Sequence, residues 1–405
     1  MKANENQSAA RKALLLRGWE ALCQPLVAII FGLVVGAVVI LACGQNPMAV
    51  YAELFEKSFI KPYYLFSTLT RATPIIICAM ATGMSWRAGY INLGVEGQMV
   101  TGTLVATVVA LFLPGPPLLV AVIAWIAGMA AGAIVGLLKT FCNVNEVISG
   151  IMLNWIFLYA TNMILTNVKE VASPYTYQMH SAAQQALLPS LGLDKLFSGN
   201  QYVTIAIPLA ILMAILVWVV LEKTRFGYEL KATGFNKHAA KYCGMAERRN
   251  TVLTLAIAGG LAALGGSLLY QTGYEQWQCT HSSVPNMGFN GICAAFLGGL
   301  NPIGAIFSSF FIQHITSGGA YVDKSLYCSQ ISDLITSIII YMCGFVLFLK
   351  TAMNNSAARR EERQRLAAES ADTAPEAAPA SESEQGAGTA PAQAPADSEK
   401  GGEAQ

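Results

Sequence analysis

Residues 222–250, EKTRFGYELKATGFNKHAAKYCGMAERRN, form a polar stretch between two long apolar parts of the chain. Seven of its side chains are basic and three are acidic: Lys223, Arg225, Lys231, Lys237, Lys241, Arg248 and Arg249, against Glu222, Glu229 and Glu247. A single charge at the centre of a membrane helix costs about 2.5–3.5 kcal/mol, so we place this stretch in water. Its excess of lysine and arginine is typical of a cytoplasmic loop.

The middle of this loop has the pattern of a short amphipathic helix. Asn236 is a good N-cap, residues 237–243 can form two helical turns, and Gly244 suits the left-handed position just past a helix end. Small or apolar residues share one face of this helix: Ala239, Tyr242 and Cys243. The pattern favours a docking element for another protein. The alternative is a solvated basic loop that only orients the chain in the membrane.

The order of residues in the loop favours docking. The runs that matter are Phe226-Gly227 and Ala232-x-Gly234-x-Asn236-x-x-Ala239-Ala240-x-x-x-Gly244-Met245. They resemble the cytoplasmic loop of permease subunits in ATP-binding-cassette (ABC) importers, closest to the branch for sugars, nucleosides and branched-chain amino acids. In that family the loop carries a coupling helix that sits in a groove of the ATPase subunit. The resemblance implies six ATPase-coupling residues: Gly227, Gly234, Asn236, Ala239, Ala240 and Gly244.

The composition of the whole chain is that of a polytopic membrane protein. Of its 405 residues, 54% are hydrophobic and only 12% are charged, whereas soluble domains have about 25% charged residues. A membrane span needs about 20 mostly apolar residues. We predict ten spans, at 25–43, 66–85, 91–113, 117–138, 146–165, 202–221, 251–270, 287–300, 303–320 and 330–349. The net charge of +1 indicates no nucleic-acid partner.

Both ends of the chain are predicted to be cytoplasmic. With ten crossings, most of the 25 lysines and arginines fall in segments on the inner side, as expected for bacterial membrane proteins. We expect a cytoplasmic arm over residues 1–24, a transmembrane permease domain over 25–350 and a cytoplasmic tail over 351–405. The tail is predicted to be disordered because residues 354–405 contain one large aliphatic side chain, Leu366.

The predicted fold is all-α, and matched openings suggest an inverted repeat of five spans each. Glu146-Val-Ile-Ser-Gly-Ile matches Asp333-Leu-Ile-Thr-Ser-Ile, and Gly89-Tyr-Ile-Asn92 matches Gly288-Phe-Asn290-Gly. Many transporters arrange such repeats around a central site. Glycine and proline interruptions make the segments 287–300 and 303–320 candidates for broken or re-entrant helices.

A second informative stretch is RAGYINLGVEGQ, residues 87–98. Three glycines with Asn92, Glu96 and Gln98 make a poor continuous helix facing lipid. An ionisable group inside the bilayer is expected to face a protein interior or a water-filled path, so these three residues are candidates for a substrate path. The alternative is close helix packing, with Glu96 bound to a neighbouring helix. The stretch resembles the signature of the same importer branch.

Three further residues are candidates for the substrate path. Asn154 lies in Met152-Leu153-Asn154-Trp155, which resembles nucleoside-type permeases more than ribose-type ones. A lone asparagine in a span is more often an interhelical hydrogen bond than a ligand contact. Phe289 and Asn290 would suit a base and a ribose, or equally a re-entrant turn that needs caps.

The long outer connection over residues 166–201 is either functional or an ordered cap over the bundle. Tyr175 and Tyr177 in this connection are candidates for contact with an extracellular substrate-binding lipoprotein. Besides that protein, the resemblance implies ABC ATPase subunits, a second permease subunit in a heterodimer, and the lipids of a bacterial cytoplasmic membrane.

The sequence contains no phosphate-binding G-x-x-x-x-G-K-[ST] motif and no metalloprotease or redox-cysteine motif. We therefore expect no catalytic or metal site and no cofactor of its own, with ATP bound by partner subunits. The function expected is nucleoside transport. Simple sugars such as ribose are the alternative substrates, and an ion-coupled secondary transporter with Glu96 as its titrating group is the alternative class. A membrane scaffold without transport would leave the polar residues in the spans unexplained.

Overall fold

The computed structural model of this chain describes residues 29–42, 44–56, 62–113, 115–197 and 199–321, with 331, 334–335, 337–338 and 341–342. The predicted arm over 1–24, the tail over 351–405 and most of the span predicted at 330–349 lie outside the described residues. Asp333, which carries part of the repeat prediction, lies outside them too, so the inverted repeat stays a prediction.

The described residues form helices joined by turns, and their only strand-like features are two isolated bridges. The helices are α1 (Ile29–Ala42), α2 (Pro47–Phe55), α3 (Pro62–Arg87), α4 (Val95–Phe112), α5 (Pro117–Phe141), α6 (Glu146–Leu165), α7 (Met179–Ala182), α8 (Leu193–Leu196), α9 (Ala206–Lys223), α10 (Arg225–Phe235), α11 (Lys237–Tyr242), α12 (Glu247–Gln271), α13 (Met287–Leu297) and α14 (Pro302–Tyr321). Six of them, α3, α4, α5, α6, α9 and α12, are long and apolar enough to cross a membrane. The prediction of an all-α polytopic membrane protein is confirmed.

Besides the four-residue helices α7 and α8, two helices were absent from the prediction. α2 begins at Pro47, which suits the first helical position, and Asn46 caps it by accepting a hydrogen bond from the Met48 N–H. α10 occupies the first half of the polar loop, where Thr224 caps it through the Gly227 N–H. Both helices begin at local caps, which a search for long apolar runs does not detect.

α12 lies at the centre of the bundle and packs against α3, α4 and α5. Glycines on its neighbours allow the backbones to approach closely. An added Cβ at Gly102 in α4, or at Gly128 in α5, would overlap Ala263 of α12. Small residues at such contacts are the usual means of helix association in a bilayer, where van der Waals packing replaces the hydrophobic driving force.

α13 is too short to cross a membrane. Its 11 residues rise about 16 Å, roughly half of a hydrocarbon core of about 30 Å. It ends in a tight turn in which Gly299 and Leu300 have positive φ, and the Asn301 side chain caps α14. The predicted break between the eighth and ninth segments is therefore present, while α14 is a full 20-residue helix.

The connection over residues 166–201 is ordered and contains α7 and α8. Tyr175 pairs with Gln278 in an isolated bridge, and the Thr176 N–H donates to the Trp277 carbonyl. The Gln271 side chain donates to the carbonyls of Pro117 and Ala186 and so ties the connection to α5 and α12. These contacts form a cap over one end of the bundle.

Candidate functional site

The polar loop folds as two consecutive helices, α10 and α11. Asn236 ends α10 and caps α11, since its Oδ1 accepts a hydrogen bond from the Ala239 N–H at 3.0 Å. Gly244 has φ +78°, and the Met245 N–H closes the end of α11 on the Ala240 carbonyl. The predicted short helix, its N-cap and its left-handed glycine are all present in the structure.

One side of α11 packs inward and the other is open. Ala240 is buried, whereas Ala239 and Cys243 are exposed and Tyr242 is 97% exposed. Phe235, the last residue of α10, is 95% exposed beside them. Large apolar side chains that project fully from a polar loop are suited to contact another protein.

The charges of the loop are partly neutralised within the chain. Glu222 pairs with Arg87 at the end of α3 and with Lys231 at 3.0 Å, while Glu229 lies 3.7 Å from Arg225. Such exposed pairs each contribute little stability, on the order of 0–1 kcal/mol. They hold α10 beside the end of α3.

The inner side of α10 and α11 contacts residues 88–94, which we call the linker segment. This segment is the non-helical part of the chain between α3 and α4. Gly89 has φ +79°, and an added Cβ there would lie 2.8 Å from the Gly234 Cα. A Cβ at Gly234 would lie 2.5 Å from the Ala88 carbonyl carbon. Backbone therefore meets backbone between the linker segment and α10.

Tyr90 makes two further contacts of the linker segment. The Lys237 ammonium lies 5.0 Å from the centroid of its ring, in the range of a cation–π interaction. The Tyr90 hydroxyl shares a 2.5 Å hydrogen bond with the Thr251 hydroxyl of α12. Burial raises the pKa of the Tyr90 hydroxyl, so the ring stays neutral beneath the lysine.

Asn92 organises the other end of the linker segment. Its Oδ1 accepts from the Gly94 N–H at 3.0 Å and its Nδ2 donates to Gln98 Oε1 at 3.0 Å. Both side chains are buried and partner each other. Two of the predicted substrate-path residues, Asn92 and Gln98, thus support the turn into α4.

Asn154 joins this turn to α6. Its Nδ2 donates to the Leu93 carbonyl at 2.9 Å, and its Oδ1 accepts from the Gly97 N–H at 2.8 Å. The Asn154 side chain is buried, and Gly150 packs directly on Gly94 one turn away. The amide is fully used in helix–helix contact, which is the alternative role considered for it.

Glu96 joins α4 to the beginning of α13. Its side chain is 0% exposed, and Oε2 accepts from the Phe289 N–H at 3.1 Å. Gly288 leaves the space that the carboxylate occupies, since a Cβ there would overlap Oε2. The other oxygen, Oε1, has no hydrogen-bond partner among the described residues. This acceptor satisfies one of the N–H groups that the first turn of a helix leaves without an intrahelical partner.

Phe289 and Asn290 differ from the other four candidates because they are partly exposed. They lie in the first turn of α13, beside Glu96, and the polar residues 280–286 precede them. An aromatic ring and an amide at this position could contact a polar, planar solute. The structure thus brings all six predicted substrate-path residues into one neighbourhood of α4, α6 and α13.

Several residues of this neighbourhood escaped the sequence analysis as site residues, among them Gly89, Tyr90, Gly150, Thr251 and Gly288. Their partners are distant in sequence, so no local pattern could have identified the contacts. The glycines of the 87–98 stretch were the available signal. Within the described residues, no group of three or more His, Cys, Asp or Glu side chains could hold a metal ion.

Comparison with known proteins gives a family and close relatives. Residues 64–344 match the family described as branched-chain amino acid transport system / permease component. The guanosine ABC transporter permease protein NupP of Bacillus subtilis (strain 168) is 33% identical over 321 residues, covering 78% of this chain and 91% of that protein. The nucleoside ABC transporter permease protein NupB of Lactococcus lactis subsp. cremoris is 29% identical over 350 residues, covering 81% and 92%.

A more distant relative is named as a glucose permease. The glucose ABC transporter permease protein TsgB13 of Haloferax volcanii is 26% identical over 315 residues, covering 75% of this chain and 82% of that protein. No solved structure gives a significant match. Because the family match covers more than half of the chain, this chain belongs to the family of branched-chain amino acid transport system permease components. It is therefore a transport component rather than an enzyme.

Proposed function

We propose that this chain is the permease subunit of an ABC importer that carries nucleosides across the bacterial cytoplasmic membrane. The observation that carries the proposal is the geometry of α11. This short capped helix presents Tyr242 outward beside the exposed Phe235 of α10, and its first residue, Lys237, lies over the Tyr90 ring of the linker segment. A helix held in this way can dock in an ATPase subunit and pass movement into the bundle.

The substrate class rests on the relatives. NupP and NupB, which are among the permeases named for guanosine or nucleosides, cover more of this chain than the glucose permease TsgB13 does. We place the nucleoside at the first turn of α13, where Phe289 can stack on a base and Asn290 can bond polar groups. Asn92, Glu96, Gln98 and Asn154 would hold that turn in position.

The mechanism that follows is alternating access. ATP binding would close a pair of partner ATPases, α11 would move with them, and the helices around Glu96 and α13 would switch from outward to inward opening. Both chain ends and the α10–α11 loop would then lie in the cytoplasm. A second permease subunit would complete the path, and an extracellular binding lipoprotein would deliver the nucleoside to the cap over residues 166–201.

The experiment is uptake of labelled guanosine and uridine by cells with and without this chain, with excess ribose, glucose and leucine as competitors. Uptake that requires the chain and ignores all three competitors would support nucleoside import. Competition by ribose or glucose would instead indicate that the substrate is a sugar.

ATP depletion with the ion gradients clamped separates this proposal from ion-coupled transport. An ABC importer loses uptake under these conditions, because its energy comes from the partner ATPases. Persistent uptake that collapses only with the proton or sodium gradient would contradict the proposed class.

A further inference from the structure

We infer that the linker segment, residues 88–94, is the element that transmits movement of α11 to the substrate path. The inference rests on the proposed function and adds to it a route inside this chain. The α11 surface that would meet an ATPase and the first turn of α13 are not in direct contact, so something must connect them. The linker segment contacts α10 and α11 at one end, and at the other it leads into the first turn of α4, where Glu96 contacts α13.

On the cytoplasmic side, the contact between the linker segment and α10 is stiff because it joins backbone to backbone. Gly234 of α10 lies against Ala88 and Gly89 with no side chain between them. A flexible side chain would absorb a displacement, but two packed backbones transmit it. Lys237, the first residue of α11, adds a second contact through the ring of Tyr90.

On the inner side, the linker segment is tied to α6 and α4 by directed hydrogen bonds. The Leu93 carbonyl accepts a hydrogen bond from Asn154, while Asn92 accepts one from the Gly94 N–H and donates one to Gln98. Two residues beyond Gly94, Glu96 accepts a hydrogen bond from the Phe289 N–H of α13. The side chains that make these links, Asn92, Glu96, Gln98 and Asn154, are buried, so water has little access to their hydrogen bonds.

Between its two ends the linker segment is able to change shape. Its first residues, 88–90, close the last turn of α3 through their backbone N–H groups, whereas residues 91–93 lie outside any helical hydrogen-bond ladder. Gly89 has a positive φ that side-chain-bearing residues rarely adopt. Hinges of this kind absorb a change in φ and ψ while the elements on either side move as units. The segment therefore acts as a hinge whose input is α10–α11 and whose output is the first turn of α4.

The test uses the whole transporter, with this chain, its ATPases, the second permease and the binding protein reconstituted in vesicles. Three quantities are measured for each variant: copurified ATPase, ATP hydrolysis and nucleoside uptake. Gly234→Ala inserts a methyl group into the backbone contact, and we expect uptake to fall about ten-fold while ATPase association and hydrolysis persist. Lys237→Gln removes the contact with Tyr90 without overpacking, and we expect the ATP used per nucleoside to rise about two- to five-fold.

Two substitutions are the matched controls. Lys223→Gln removes the same charge and a similar contact, with the Trp218 ring at 5.7 Å, from the end of α9, and we expect all three quantities to stay unchanged. Phe235→Ala, next to Gly234 but fully outward, should reduce ATPase association instead of the ATP used per nucleoside. The controls therefore separate docking from transmission.

The outcomes are distinct. If Gly234→Ala does not fold, Lys237→Gln decides, because its side chain is only half buried. A Lys237→Gln transporter that binds ATPase and uses the wild-type amount of ATP per nucleoside would overturn the transmission role. A wild-type transporter without ATP-driven nucleoside uptake would contradict the proposed function, and the transmission role with it.

Discussion

At the scale of single residues, Glu96 shows how a buried carboxyl group can have a structural role by accepting a hydrogen bond from the first turn of a neighbouring helix. It accepts the Phe289 N–H with one oxygen and fills the space left by Gly288. The sequence analysis could identify Glu96 from its depth in an apolar segment. It could not identify Gly288, since only the fold brings residues 96 and 288 together.

Glutamine at position 96 should preserve most of the transport activity. Its side-chain oxygen can still accept from the Phe289 N–H, whereas leucine would leave that buried donor without a partner at a cost of about 1–3 kcal/mol. We expect Glu96→Gln to retain uptake within a few-fold and Glu96→Leu to lose most of it. Uptake and thermal unfolding in detergent measure the two effects. Complete loss of uptake in a well-folded Glu96→Gln variant would instead identify Glu96 as a titrating group.

Asn154 should matter for stability more than for substrate affinity. Its amide satisfies the Leu93 carbonyl and the Gly97 N–H, and interhelical hydrogen bonds in membranes contribute about 0.6–2 kcal/mol each. We expect Asn154→Leu to lower the unfolding temperature clearly and leave the KM of residual uptake unchanged. Met152→Leu, on the exposed side of the same helix, is the control and should change neither quantity. A raised KM without loss of stability would argue that Asn154 contacts the substrate.

At the scale of elements, the sequence predicted α11 correctly because residues next to it in the sequence determine both of its ends. Asn236 and Gly244 lie at the two ends of α11 and define it without help from the rest of the chain. The glycines of residues 87–98 predicted a poor continuous helix there, but the span predicted from residue 91 becomes helical only at Val95. α10 was missed because its cap, Thr224, follows directly on a long apolar helix.

The cap of α11 gives an element-scale prediction. Replacing the Asn236 oxygen acceptor by alanine costs a helix about 1 kcal/mol, which is a large fraction of the stability of a six-residue helix. We expect Asn236→Ala to reduce copurification of the ATPase several-fold and Asn236→Asp, which keeps an acceptor, to preserve it. Equal association of both variants would show that the partner does not require a preformed α11.

At the scale of the whole molecule, the bundle has a closed centre and exposed outer helices. α12 is almost entirely enclosed by α3, α4 and α5, while α5, α6 and α9 expose much of their surface. The apolar composition predicted the positions of α1, α3 to α6, α9 and α12 to α14, but not those of the other described helices. It could not predict which helix would lie at the centre, because that depends on glycine contacts such as Gly102 with Ala263.

The open side of α6 carries a feature that plain contact with lipid does not explain. Trp155 and Tyr159 lie near the middle of the 20-residue helix, are 40% and 56% exposed, and stack with their ring centroids 6.1 Å apart. Neither the indole N–H nor the phenol hydroxyl has a hydrogen-bond partner among the described residues. Trp and Tyr with free polar groups belong at the membrane surface rather than at its centre, so we expect the second permease subunit to cover this pair.

Trp155→Ala combined with Tyr159→Ala should therefore weaken assembly rather than folding. Buried aromatic side chains are the residues that contribute most to protein interfaces, at about 2 kcal/mol or more each. We expect the fraction of second permease that copurifies with this chain to fall at least ten-fold, with the unfolding temperature of the isolated chain unchanged. Leu212→Ala with Leu216→Ala, on the exposed side of α9, removes apolar surface of the same kind and should leave copurification intact. Unchanged copurification together with a raised KM for nucleosides would place the aromatic pair in the substrate path instead, because a base stacks on such rings in the way that a partner side chain would.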